Sequence, residues 1–120
     1  MLFRSRAATR RDDRVEIVLA AWRDERVAYR GKFWSYDGIE VLPKPVQTPH
    51  PPVWLAATSP DSIRRAAEKG YDILQDPHAT HADIGKKREH YRQVLREHGF
   101  SAEGRVIPTA RLLEIGRAHV

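Results

Sequence analysis

There is no cysteine among the 120 residues of this chain, which excludes disulfides, thiolate catalysis and cysteine-based zinc sites. That absence is compatible with a reducing cytoplasm. No apolar run approaches the ~18 residues that a membrane helix requires, and residues 1–11 lack the apolar centre of a signal peptide. The expectation is a soluble, cytoplasmic protein with no membrane partner. Internal repeats and low-complexity tracts are also missing. The formal charge of +5, from 21 basic and 16 acidic residues, raises the question of nucleic acid, but its distribution argues against one. Much of the excess is arginine near the start (Arg4, Arg6, Arg10, Arg11, Arg14), whereas later basic residues alternate with Asp and Glu as on a solvated helix face. No RNA-binding or zinc-finger motif accompanies them, so nucleic acid is not an expected partner.

The most informative stretch that is present is PKPVQTPHPPVWLAATSPDS, residues 43–62. Pro43, Pro45, Pro49, Pro51 and Pro52 fix φ, remove backbone donors and push their predecessors to extended geometry, so residues 42–52 are neither helix nor central strand. They form an ordered, extended connector. Residues 53–57, VWLAA, are apolar without alternation and predict a strand covered on both faces, as in a parallel α/β sheet. Ser59 is a good N-cap, Pro60 suits the first helical position, and Asp61 and Ser62 place acceptors in the first turn. The helix that follows buries Ile63, Ala66 and Ala67 and stops at Gly70.

Residues 71–75 predict a second strand, which makes one βαβ unit. Such units hold ligands at the carboxyl ends of their strands, here residues 58–62 and 75–78. Elsewhere, residues 12–26 carry Val15, Val18, Leu19 and Trp22 at helical spacing, with Asp12 or Asp13 near the helix start. Residues 29–41 alternate loosely around Gly31, Asp37 and Gly38 and read as a small hairpin. Residues 82–99 form an amphipathic helix through Ile84, Tyr91, Val94 and Leu95, and residues 105–113 a third strand interrupted by Pro108. Three strands are too few to close a parallel barrel of ~250 residues, and so small a parallel sheet leaves open edges.

Both ends have a common explanation at the nucleotide level. Read with an initiating GTG, the string GTG CTC TTC CGA TCT would give MLFRS, and GAG ATC GGA AGA GCA CAC GTC would give EIGRAHV; apart from its first G, the second string is a short-read sequencing adapter, and the first is the adapter's reverse complement. Residues 1–5 and 114–120 are therefore expected to be translated adapter, and residues 6–113 an internal piece of a longer protein.

The segment YRGKFWSYDGIEVLPKPVQTPHPPVWLAATSPDSIRRAAEKGYDIL resembles the luciferase-like flavin-dependent monooxygenases. The shared features are a GK-aromatic pair, P-x-P-x-Q-x-P-x-PP, a strand, a serine-containing turn and an AA-x-x-G helix end. The resemblance extends over most of residues 11–113. It implies an α/β fold, a partial (β/α)8 TIM barrel of about three parallel strands with intervening helices, with reduced FMN or, in some branches, a reduced deazaflavin as cofactor. It also implies a small organic substrate, a flavin reductase as partner and a homo-oligomeric whole protein. Thr58, Ser59 and Ser62 then stand where the flavin phosphate is held, a role that free helix-end donors and hydroxyls also suit on physical grounds. Against it, Asp61 adds negative charge, and the luciferase pattern has a glutamate where Thr58 stands. Gln75, Asp76 and His78 follow the next strand, where the family's chain passes the flavin ring, and His78 could contact substrate. The fragment alone is expected to be inactive and to fold poorly.

Plainer readings stand beside these. Ordinary helix capping would account for Ser59 to Ser62, and a self-contained, non-catalytic phosphate- or nucleotide-binding module is the alternative to an oxidoreductase fragment. His78 and His81 form an H-x-x-H pair without a third metal ligand. Trp22, Trp34 and Trp54 are packing residues, His50 is a structural hydrogen-bonder, and Arg64 and Arg65 lie on a solvated flank with Glu68. His90 and His98 belong to the exposed face of the last helix.

Overall fold

The computed structural model describes residues 2–109, with side chains from residue 10 onward. The chain divides into two compact units at Pro51/Pro52. The first holds helix α1 (Leu2–Arg23) and strands β1 (Arg26–Arg30) and β2 (Ser35–Glu40), which pair antiparallel. A hairpin is present, but it begins at Arg26 and turns at residues 31–34, so Gly31 marks its turn while Asp37 and Gly38 lie inside β2. Gly31 N–H donates to Trp34 O at 2.9 Å across the turn, and the register shifts between Val27 and Tyr29. Val27, Ala20 and Ala21 form a small core with Tyr29 against it.

Helix α1 starts at Leu2 rather than near Asp12. No Pro or Gly interrupts residues 2–13, and Arg and Ala there are good helix formers, so Asp12 and Asp13 lie inside the helix instead of capping it. At the other end Lys44 Nζ donates to Ala21 O at 2.9 Å and Asp24 O at 2.6 Å, placing a cation on carbonyls at the helix terminus. Trp22 lies beside His50, with ring centroids 6.0 Å apart. The proline-rich connector is thus ordered by α1, and within residues 42–52 it forms neither helix nor strand.

The second unit is a βαβ arrangement followed by a helix: β3 (Trp54–Ala56), α2 (Pro60–Glu68), β4 (Asp72–Leu74) and α3 (His81–Glu97). Strands β3 and β4 are parallel, with Trp54, Leu55 and Ala56 opposite Asp72, Ile73 and Leu74. Side chains alternate across a sheet, and here the two faces differ sharply. Leu55, Ala57 and Ile73 join Ile63, Ala66 and Ala67 of α2 and Tyr91, Val94 and Leu95 of α3 in one core. On the other face Trp54 and Leu74 are 41% and 42% exposed. The expectation of a strand covered on both faces is therefore corrected: the helices cover one.

Both helices of this unit end in the same way. Gly70 (φ +70) and Gly99 (φ +78) adopt the left-handed conformation that glycine enters without a Cβ clash. Gly70 N–H donates to Ala67 O and Tyr71 N–H to Ala66 O; Gly99 N–H donates to Arg96 O and Phe100 N–H to Leu95 O. These paired bonds satisfy the last carbonyls of α2 and α3.

The third strand expected at 105–113 does not form over 105–109, and residues 110–113 lie outside the described residues. Pro108 lacks the N–H a ladder requires; the backbone contact here is Gln75 N–H to Pro108 O, 3.1 Å. Arg105 anchors the segment instead. Its Nη1 donates to Gly70 O and Asp72 Oδ1, each at 2.9 Å, and to Tyr91 Oη at 3.2 Å, while the Tyr91 hydroxyl donates to Tyr71 O at 2.8 Å. The described architecture is thus mixed α/β, with one antiparallel and one parallel two-stranded sheet.

Candidate functional site

At the carboxyl ends of β3 and β4, Ala57 N–H donates to Leu74 O at 3.1 Å and keeps the strands together one residue beyond their last pair. Thr58 follows on one strand, Gln75 and Asp76 on the other. Ser59 is extended (φ −92, ψ 153) and caps α2 with Pro60 behind it. Its Oγ accepts from Ser62 N–H at 3.2 Å, while Ser62 Oγ accepts from Ser59 N–H at 3.0 Å and donates to Ser59 O at 2.8 Å. This reciprocal capping occupies donors that the sequence leaves open.

Pro60 has no N–H, Ser62 N–H is used by the cap, and Ile63 N–H donates to Ser59 O at 3.0 Å. The remaining first-turn amide is that of Asp61, whose side chain is exposed. Thr58 and Ser59 are exposed, whereas Ser62 is buried. A hydroxyl can accept and donate at once, so Ser59 Oγ can keep the Ser62 amide and turn its proton, now 3.1 Å from Ser62 Oγ, toward a ligand. The structure therefore brings Thr58, Ser59 and Ser62 to one helix end, with fewer free backbone donors than a bare N-terminus would have.

Gln75 is 5% exposed. Neither Oε1 nor Nε2 has a hydrogen-bond partner among the described residues. Asp76 differs: its Oδ1 accepts from His78 N–H at 2.9 Å, forming an Asx turn at the start of the loop into α3. His78 and His81 are exposed, and no group of three or more His, Asp or Glu side chains able to hold a metal ion occurs among the described residues. Arg64 pairs with Glu68 at 2.6 Å on the flank of α2, as a solvated i,i+4 pair should. No described helix is long and apolar enough to cross a membrane.

Three features have little or no place in the sequence reading. Thr80 caps α3: its Oγ1 accepts from Asp83 N–H at 3.2 Å and donates to Asp83 Oδ2 at 2.6 Å, a bond that holds the Asp83 carboxyl below its ordinary range. The spacing T-x-x-D carries that signal. The three acceptors of Arg105 Nη1 lie far from it in the chain and leave no local signature. Asp13 is 9% exposed with Oδ2 unpartnered among the described residues, beside Gly31, where an added Cβ would stand 3.0 Å from that oxygen.

Residues 4–113 match the luciferase-like monooxygenase family. The chain is 27% identical over 92 residues to the oxygenase component of the flavin-dependent trigonelline monooxygenase of Acinetobacter baylyi, covering 76% of this chain and 25% of that protein. It is 36% identical over 58 residues to the uncharacterized protein y4wF of Sinorhizobium fredii, covering 48% and 17%. The crystal structure of monooxygenase RslO1 from Streptomyces bottropensis superposes with a TM-score of 0.64 at 28% identity, over 75% of this chain and 28% of that one. The chain thus spans a quarter or less of the length of these curated relatives. With a parallel βαβ unit, a capped helix at its carboxyl end and a match along nearly its whole length, this chain belongs to the luciferase-like monooxygenase family.

Proposed function

We propose that this chain supplies one βα segment of a flavin-dependent monooxygenase, a partial TIM barrel in which the first turn of α2 holds the phosphate of reduced FMN. The observation that carries this reading is the gathering of Thr58, Ser59 and Ser62 at a helix N-terminus beside the carboxyl ends of two parallel strands. The residues present fit a phosphate. Thr58 and Ser59 offer exposed hydroxyls, Asp61 an unused N–H, and the partial positive charge of the helix end favours an anion.

Bound reduced flavin would supply the two electrons that, with molecular oxygen, oxidise a small organic substrate. This chain's contribution is binding and orientation. Ser59 would keep the helix capped while donating to a phosphate oxygen, and Thr58, one residue earlier, would donate from the strand end. Asp76 and His78, at the end of β4, would border the ring and substrate; the Asx turn fixes the loop that carries them. Asp61 limits affinity through its negative charge.

FMN is the preferred cofactor, with a deazaflavin as the alternative, since both carry a phosphate. Reduced flavin would come from a separate flavin reductase, by analogy with the relative named an oxygenase component. The whole protein is proposed to be cytoplasmic and homo-oligomeric, with residues 6–113 its contribution here and residues 1–5 and 114–120 of adapter origin. The open face with Trp54 and Leu74 would be covered by further strands, and without them the chain would be inactive.

A Ser59→Asp substitution tests the phosphate assignment. The aspartate preserves an N-cap acceptor but sets a second negative charge against the phosphate, so FMN should bind more weakly to the variant. Unchanged FMN affinity would remove Ser59 from the site.

A further inference from the structure

The buried amide of Gln75 has no role in the packing just described. It is 5% exposed, and both of its polar atoms lack partners among the described residues. Leaving such groups unsatisfied is costly, and an apolar side chain of the same size would avoid the cost. Its place in the sheet narrows what the amide serves. Gln75 is two residues beyond Ile73, and so shares the side of the sheet that bears Leu55, Ala57 and Ile73 against α2, not the open side of Leu74 and Trp54. Helix α2 connects two parallel strands and must run back against them. Its buried first-turn residues Ser62 and Ile63 therefore lie toward the carboxyl end of the sheet, the end at which Gln75 stands.

We propose that Gln75 completes the anion site from the strand side: Nε2 donates to a phosphate oxygen, and Oε1 accepts from a hydroxyl of the polyol to which the phosphate is attached. The ligand class is a phosphorylated polyol such as the side chain of FMN. This inference rests on the flavin-phosphate reading and refines it, because it gives Gln75 to the phosphate end of the cofactor and leaves the ring to the loop beyond Asp76. It also accounts for the neutrality of the group. A buried amide supplies a donor without the desolvation that a buried ammonium would suffer, and no Lys or Arg is among the residues grouped here. Both orphaned atoms find partners in one ligand.

The test compares two flavins that differ in the phosphate alone, FMN and riboflavin, titrated by fluorescence against the whole parent protein that contains this segment and its Gln75→Met and Ser59→Asp variants, with urea unfolding of each protein without ligand. Gln75→Met should unfold at higher urea than the parent, because it removes an unsatisfied buried amide. It should weaken FMN about 10-fold or more, the loss of a bond to a charged group, and riboflavin about 2- to 10-fold, the loss of a neutral one. Equal losses for the two flavins, or no loss while Ser59→Asp still weakens FMN, would overturn the role of Gln75 alone. A Gln75→Met protein less stable than the parent, or unfolded, would show the amide already satisfied and overturn it as well. If the parent protein does not distinguish FMN from riboflavin and Ser59→Asp changes neither, the phosphate reading itself falls, and the inference with it.

Discussion

Ser59 and Ser62 form a closed pair, and its energetic coupling can be worked out from the structure. Ser62 Oγ accepts the Ser59 amide at 3.0 Å, Ser59 Oγ accepts the Ser62 amide at 3.2 Å, and the two hydroxyls lie 3.1 Å apart. Losing an N-cap side chain costs about 1 kcal/mol, so Ser59→Ala should destabilise the second unit by about that amount. Ser62→Ala removes the acceptor of the Ser59 amide and the bond to Ser59 O at 2.8 Å, in a buried position, and should cost about 1–2 kcal/mol. In the double variant the hydroxyl–hydroxyl contact and the mutual ordering of the two side chains can be lost only once. The double-mutant cost should therefore fall short of the sum by about 0.5–1 kcal/mol. Urea unfolding of the four proteins, followed by far-UV circular dichroism, measures the cycle. Additivity to within about 0.3 kcal/mol would refute the reciprocal cap and return Ser62 Oγ to direct service as a phosphate donor.

Three further outcomes follow from the packing. Burial raises the Tyr91 phenol above its ordinary value, a shift opposed by its bond with Arg105; the unfolded chain ionises first, so this contribution to stability is full below about pH 10 and is lost as pH rises above it. Tyr91→Phe should flatten that alkaline decline and cost about 1 kcal/mol at neutral pH; an unaltered alkaline slope would deny the coupling. Gly70→Ala should destabilise by more than about 1 kcal/mol, since φ is +70 and an added Cβ would stand 2.6 Å from the Phe100 ring; a neutral thermal shift would contradict the terminus described. Ile73→Ala, at 0% exposure, should cost about 2–5 kcal/mol, and Leu74→Ala, at 42%, much less. Similar losses in denaturant titrations would contradict the one-sided sheet.

What sequence could reveal here depended on how local the cause was. Ser59, Pro60 and Gly70 mark the ends of α2 because capping and left-handed termini act within a few residues. Ile63, Ala66 and Ala67 are buried as their spacing requires. Asp12 and Asp13 show the weakness of the same logic: an aspartate is a good cap, yet nothing before it stops the helix, and α1 continues through it. The run VWLAA has the composition of a strand covered twice, but coverage depends on neighbours in space, and Trp54 is left open. Arg105 meets Asp72 across 33 residues, a contact that no window of sequence contains. At the site itself the residue types were legible, while their mutual satisfaction was not. Hydroxyls that suggest phosphate donors are also each other's partners, and at this sheet end the buried side chain without a hydrogen-bond partner among the described residues is Gln75.

The most direct test of the account is the ratio of FMN to riboflavin affinity for the whole protein that contains this segment, measured at low ionic strength by flavin fluorescence. A helix end that holds phosphate should favour FMN by about 10-fold or more, as expected for hydrogen bonds to a charged group, and inorganic phosphate should narrow the difference by competition. Equal affinities, unaffected by phosphate, would contradict a phosphate site at Thr58, Ser59 and Ser62.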